Sequence, residues 1–176
     1  STTILGGSWS SDGTIILGGL SGGVMRVSSK GGTLTPLTQL QLQDAQHGFP
    51  VFLPDGKRFL YQCQTSLGEK TGIYVGSLEA RPEEQSNKQM VSADMGLAYV
   101  PARDSNPAFL LFLRGQTLMA QPFDDNRLTP LGEPVPIAEQ VPVYSTFYPL
   151  FSVSAHGVLA YMSGIPSLLS QATWFD

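Results

Sequence analysis

Three observations in this 176-residue sequence predict an all-β fold class. A turn motif returns along the chain: Gly7-Ser8-Trp9-Ser10-Ser11-Asp12-Gly13, then Phe52-Leu53-Pro54-Asp55-Gly56, then a worn copy at Ser154-Ala155-His156-Gly157, each followed by a hydrophobic stretch. The composition holds 19 Gly and 13 Pro, which suits short strands joined by tight turns. No segment longer than ten residues carries a convincing 3.6-residue apolar period, so helices are not expected. The turn glycine steps from 13 to 56, and then to 157 with room for one masked copy between. A repeat of roughly 40–50 residues built from short strands predicts a β-propeller of four-stranded antiparallel blades. About four blades are expected, as a small or partial ring.

The whole chain, 1–176, reads as one propeller region with approximate blades at 6–43, 44–93, 94–142 and 143–176. In the first, Gly7–Ser11 and Thr14–Leu17 flank the Asp12-Gly13 turn. Val24–Ser28 is a third strand and Leu34–Leu37 an outer one. The second runs His47–Phe52, the Pro54-Asp55-Gly56 turn, Arg58–Gln64, Gly72–Leu78 and Lys88–Val91, with polar loops between. Asp-Gly fits such turns because Gly takes positive φ without a Cβ clash while Asp bonds nearby backbone. In the third, Gly96–Val100 leads into Asp104-Ser105-Asn106, which replaces Asp-Gly; Phe109–Arg114, Gln116–Phe123 and Pro134–Ala138 follow. The fourth has Tyr148–Val153, the His156-Gly157 turn, Val158–Met162 and Ala172–Phe175, and lacks a fourth strand. Residues 1–5 are available to complete that last blade, since a strand from the other terminus removes two open edges at once. The abrupt start and the strand-like finish lead to the expectation of a fragment of a larger ring.

The Trp9–Gly13 and Phe52–Gly56 turns, each followed by a hydrophobic strand, resemble the repeat of TolB-like propellers (the WD40-like, or PD40, repeats). The Gly31-Gly32 turn and Leu37-Thr38 add to the likeness. The resemblance implies a bacterial protein, a periplasmic or extracytoplasmic setting, and partners that are proteins or peptides. In some such proteins the propeller follows a receptor-like serine/threonine kinase domain and a membrane span. On that basis the region is expected to be a non-catalytic module binding a protein, peptide or ligand, with a sensory or scaffolding role. The alternative is an accessory or catalytic propeller tied to a peptidase or glycan hydrolase.

Charge narrows the partners. Only 14% of residues are charged, against an average of roughly a quarter, and the net charge is −4. The ten Lys and Arg are scattered, so no positive field is concentrated for nucleic acid or an anionic membrane surface. The longest apolar run, Phe109–Leu113, is far short of the roughly 20 residues that span a bilayer, so no direct membrane insertion is expected.

No catalytic, cofactor-binding or metal-binding residue is assigned from the sequence, and no cofactor is expected. His47 and His156 read as polar loop residues, and the single cysteine, Cys63, as a buried inert thiol. Neither a Gly-x-Ser-x-Gly elbow nor a recognised metal-ligand spacing occurs. Asp12, Gly13, Asp55, Gly56, His156 and Gly157 are read as structural turn residues. Trp9, Phe52 and Phe151 are expected to pack between blades. Tyr144, Phe147 and Tyr148, aromatics among adaptable polar neighbours, form the candidate partner surface, with burial in the core as the competing reading. Self-association through open blade edges is a further expectation.

Overall fold

A computed structural model describes residues 3–144 and 148–164. The described residues are all-β, with antiparallel pairing throughout and two 3-10 turns, Gly68–Lys70 and Pro82–Glu84. The strands are β1 (Ile4–Trp9), β2 (Thr14–Gly19), β3 (Met25–Ser28) and β4 (Thr35–Pro36), then β5 (Asp44–Phe52), β6 (Arg58–Thr65), β7 (Gly72–Ser77) and β8 (Gln89–Ser92). A third group follows: β9 (Met95–Val100), β10 (Ala108–Arg114), β11 (Thr117–Asp124), β12 (Thr129–Pro130) and β13 (Val135–Ala138). Four short strands finish the described chain: β14 (Val143–Tyr144), β15 (Tyr148–Pro149), β16 (Phe151–Val153) and β17 (Leu159–Tyr161).

Each of the first two groups is a four-stranded meander, and a single bridge from Gly19, at the end of inner strand β2, to His47 on β5 joins them. In the third, β12 and β13 both pair with β11. The expected strand Ala172–Phe175 and the residues 145–147 lie outside the described residues.

Why the groups stack follows from strand alternation. Successive side chains on β6 point to opposite faces. Phe59, Tyr61 and Cys63 face the first meander, forming a buried cluster with Ile16, Val24 and Leu37. Leu60 faces the third group, joining Ile73, Val75, Leu110, Phe112 and Phe123 in a second cluster. On β10 the partition repeats, with Leu111 and Leu113 packing toward a third cluster that includes partly buried Phe151, Val153 and Leu159. The second and third sheets are therefore apolar on both faces, and neither hides both alone. Buried Gln62 secures one of these interfaces, donating from Nε2 to the Asp94 carbonyl at 2.8 Å and accepting from the Gly96 N–H at 3.1 Å.

One expectation is corrected here, that for Trp9. Ile4 and Leu5 belong to β1, which pairs with β2 from Ile4↔Gly19 onward. The far end of the chain still reaches them: the Tyr148 hydroxyl donates to the Ile4 carbonyl at 3.0 Å. Trp9 does not pack between sheets; it is 67% exposed. A register irregularity between Ile4 and Gly7, with Gly6 at φ 80°, shifts the alternation, so Leu5 is buried and Trp9 turns outward.

The repeat turns show their chemistry directly. Asp55 accepts from the backbone N–H groups of Lys57 and Arg58, both at 2.9 Å, and its other oxygen accepts from Arg58 Nε. Burial raises its pKa, but these bonds and the Arg58 charge outweigh it and hold the carboxyl below its ordinary value of 3.8. A folded pKa below the unfolded one means stability that is present above pH 4 and lost as pH falls through the folded value. Asp55→Ala is expected to cost about 1–2 kcal/mol at pH 7. Urea denaturation from pH 7 to pH 2 checks this, and the gap between wild type and variant should close below about pH 4. A constant gap would refute the charged-turn account.

Candidate functional site

The site is built where the chain crosses from β4 to β5. Three segments surround a cavity of about 580 Å³: the 38–44 connection, the end of β6 with the following turn, and the 82–89 loop. Its floor includes His47, Tyr61, Cys63 and Tyr74, and its rim Gln39, Gln41, Gln43, Glu83 and Asn87.

Strand geometry explains why these side chains meet. In a regular strand, residues 44 and 47 would point to opposite faces. A register shift between Asp44 and Gln46 removes one step of the alternation, so Asp44 and His47 share a face. His47 lies directly across from Cys63, and Tyr61 directly across from Tyr74. All five therefore belong to the face of the second meander turned toward the first.

The distances are close. His47 Nε2 lies 3.3 Å from Asp44 Oδ2, and its Nδ1 lies 2.7 Å from Thr38 Oγ1. Thr38 Oγ1 also accepts from the Val24 N–H at 2.8 Å. One ligating atom from each of Asp44, His47 and Cys63 falls within 4.8 Å of the others. The His47 ring rests 4.8 Å from that of Tyr61, which lies 6.0 Å from that of Tyr74. Tyr74 donates its hydroxyl to the Lys70 carbonyl at 2.7 Å.

Burial sets the electrostatics. It pushes the His47 pKa down, against the opposing pull of Asp44. It pushes the Cys63 thiol up to about 12, with the Asp44 charge adding to the rise. Burial likewise raises the phenols of Tyr61 and Tyr74. A cysteine nucleophile needs a low-pKa thiolate paired with one imidazole nitrogen while a carboxylate orients the other. Here Asp44 lies on the Nε2 side and Thr38 occupies Nδ1, so the arrangement is not a nucleophilic triad.

His47 thus corrects the sequence reading: it is a buried strand residue, 3% exposed, and not a loop residue. Cys63 is a buried free thiol. His156 is exposed in its turn, where the Gly157 N–H donates to the Ser154 carbonyl at 3.0 Å. Asp12 accepts from the Thr14 N–H at 2.8 Å; Gly13 and Gly56 have φ of 89° and 65°. Tyr144 is 66% exposed, Tyr148 is half-buried and bound to Ile4, and Phe147 lies outside the described residues.

No family model matches the chain, and no curated protein matches it. Among solved structures, it is similar to that of a calcium-binding protein, regucalcin, from Agrobacterium tumefaciens. The TM-score is 0.56 at 13% identity, over 88% of this chain and 51% of the other. The chain therefore spans about half the length of that structure. This likeness establishes the class: the fold is a β-propeller, its blade number left unfixed. It gives no support to the TolB-like, PD40 or kinase-linked assignment in particular. The expectation that the region is not an enzyme does not stand, because the likeness shows the propeller fold alone and leaves enzyme status unsettled. The fold supplies no ground for excluding catalysis.

Proposed function

We propose that this chain is a ligand-binding propeller module, and that its site is the cavity between the first two blades. The ligand is a small polar molecule bearing hydroxyl groups. One observation carries the reading: a cavity of about 580 Å³ ringed by carboxamides over a tyrosine-lined floor. That volume falls within the roughly 300–1,000 Å³ of small-molecule sites.

A carboxamide both donates and accepts, which matches hydroxyl groups that do the same. Gln85 and Gln89 are already used: Gln85 Nε2 donates to the Leu37 and Ser77 carbonyls, and Gln89 Nε2 to the Thr71 carbonyl. The side chains of Gln39, Gln41, Gln43 and Asn87 make no hydrogen bond among the described residues, so their capacity is open to a ligand. Tyr61 and Tyr74 offer ring surface beneath them. The turn motifs that resemble TolB-like propellers agree with a binding role, and within a larger protein such a module serves sensing or scaffolding.

A thermal-shift screen of sugars, sugar acids and polyols, run in excess chelator, tests the proposal. At a concentration about 100 times Kd, a true ligand stabilises by about 2.7 kcal/mol. For a chain of this size that raises Tm by about 5–10 °C. The double variant Gln41→Ala/Asn87→Ala, which alters only exposed rim residues, should abolish the shift while leaving the free protein's Tm within about 2 °C. A screen without a shift, or a shift the double variant retains, overturns the reading.

A further inference from the structure

We infer that Asp44, His47 and Cys63 form a binding site for a divalent transition metal of the zinc type, with one coordination position opening on the cavity. The inference rests on the pocket reading only in that last clause, because the three donors stand by themselves.

The donor set selects the ion. A thiolate, an imidazole and a carboxylate suit zinc, whereas calcium takes six to eight oxygens. The chemistry here therefore differs from the calcium binding of the structural neighbour. Zinc bonds of about 2.0–2.3 Å in a tetrahedron hold ligand atoms roughly 3.3–3.8 Å apart. His47 Nε2 and Asp44 Oδ2 already have that spacing at 3.3 Å. The remaining pairs lie within 4.8 Å, so closure onto an ion needs at most about 1 Å of side-chain movement.

A second observation is independent of the donor count. A histidine that binds metal through one nitrogen needs its proton on the other, held by a hydrogen-bond acceptor. Nδ1 of His47 faces Thr38 Oγ1 at 2.7 Å, and Thr38 is fixed by the Val24 N–H. The hydroxyl oxygen is able to accept from Nδ1–H, which leaves the Nε2 lone pair aimed at the space shared with Asp44 and Cys63. The strand bulge that brings Asp44 onto the His47 face has the same consequence. Three protein ligands leave a tetrahedral ion one ligand short, and all three line the cavity. A bound water or a ligand oxygen completes the sphere, as in zinc sites that keep an open position.

Cobalt(II) is the probe. Titrated into the 176-residue chain under reducing conditions, Co²⁺ is expected to develop a thiolate-to-cobalt charge-transfer band and strong visible bands of low-coordinate cobalt, saturating at one equivalent. Zn²⁺ should bleach both, and Ca²⁺ in large excess should not. Cys63→Ala should remove the charge-transfer band and weaken Zn²⁺ by more than about a hundred-fold. Asp44→Asn, which changes a less buried residue with little change of volume, should weaken it at least about ten-fold. If Cys63→Ala does not fold, Cys63→Ser gives the same reading. Absence of the charge-transfer band in the folded wild type overturns the inference, as does Zn²⁺ binding that Asp44→Asn leaves unchanged. A sugar or polyol that binds in chelator while cobalt does not bind separates failure of this inference from failure of the pocket reading. Cobalt binding with a silent ligand screen separates them the other way.

Discussion

Phe112→Ala is expected to destabilise the protein by about 3–5 kcal/mol, a fall in Tm of roughly 6–20 °C. Phe112 lies on β10, the middle strand between β9 and β11, and its side chain is fully buried. Its cluster draws Leu60 from β6, Ile73 from β7 and Phe123 from β11, so the ring sits where the second and third blades meet. Truncation removes the transfer energy of the ring and leaves a void that two paired sheets, each held by its own ladder, cannot collapse to fill. Urea denaturation is the measurement. Trp9→Ala is the control: an exposed residue away from any cap or buried bond should shift stability by no more than about 0.5 kcal/mol. Equal losses in the two variants would mean that stability does not reside between the sheets, and the stacked-blade account would fail.

That contrast also marks how far the sequence can be read. The most conspicuous aromatic of the repeat, Trp9, suggests a packing role from its place beside the Asp12-Gly13 turn. Its orientation depends on an irregularity near Gly6 that shifts the strand's alternation, and nothing in the residue types forces that irregularity. The turns at Asp12-Gly13 and Asp55-Gly56 were legible because their determinants are local: a positive φ that Gly accepts and a carboxylate that bonds backbone two residues on. The all-β class was legible for the same reason, since alternation and turn spacing are short-range signals.

The candidate site was not legible, because it is an accident of register. Asp44 and His47 are three apart, a spacing that in an unbroken strand sends them to opposite faces. The bulge between Asp44 and Gln46 reverses that, and Cys63 joins only because antiparallel pairing sets it opposite His47. The one clue on the page of letters is the alternation of Phe59, Tyr61 and Cys63, which puts the cysteine on an aromatic face. That clue says the thiol is buried; it does not say what lies across from it.

Gly76→Ala is expected to cost about 1–3 kcal/mol although the added group is a single methyl. Gly76 pairs with Phe59 across β6 and β7. A Cβ at this position would lie 2.3 Å from Phe59 Cζ and 2.6 Å from its Cε2, far inside van der Waals contact. Phe59 itself is fully buried against the first blade, so its ring has no open space to enter and the sheets must part or the ring must leave its rotamer. The glycine is thus a steric requirement of the first interface, and its backbone conformation is ordinary. A double-mutant cycle isolates this cause. Phe59→Leu alone should destabilise through lost packing, yet in that background Gly76→Ala should cost at least about 1 kcal/mol less than it does in the wild type, because the offending ring atoms are gone. Additive costs would place the penalty in the strand backbone and leave the ring contact without a role. The coupling, measured by denaturation of all four proteins, reads the cross-strand contact between the Phe59 ring and position 76 within the second blade.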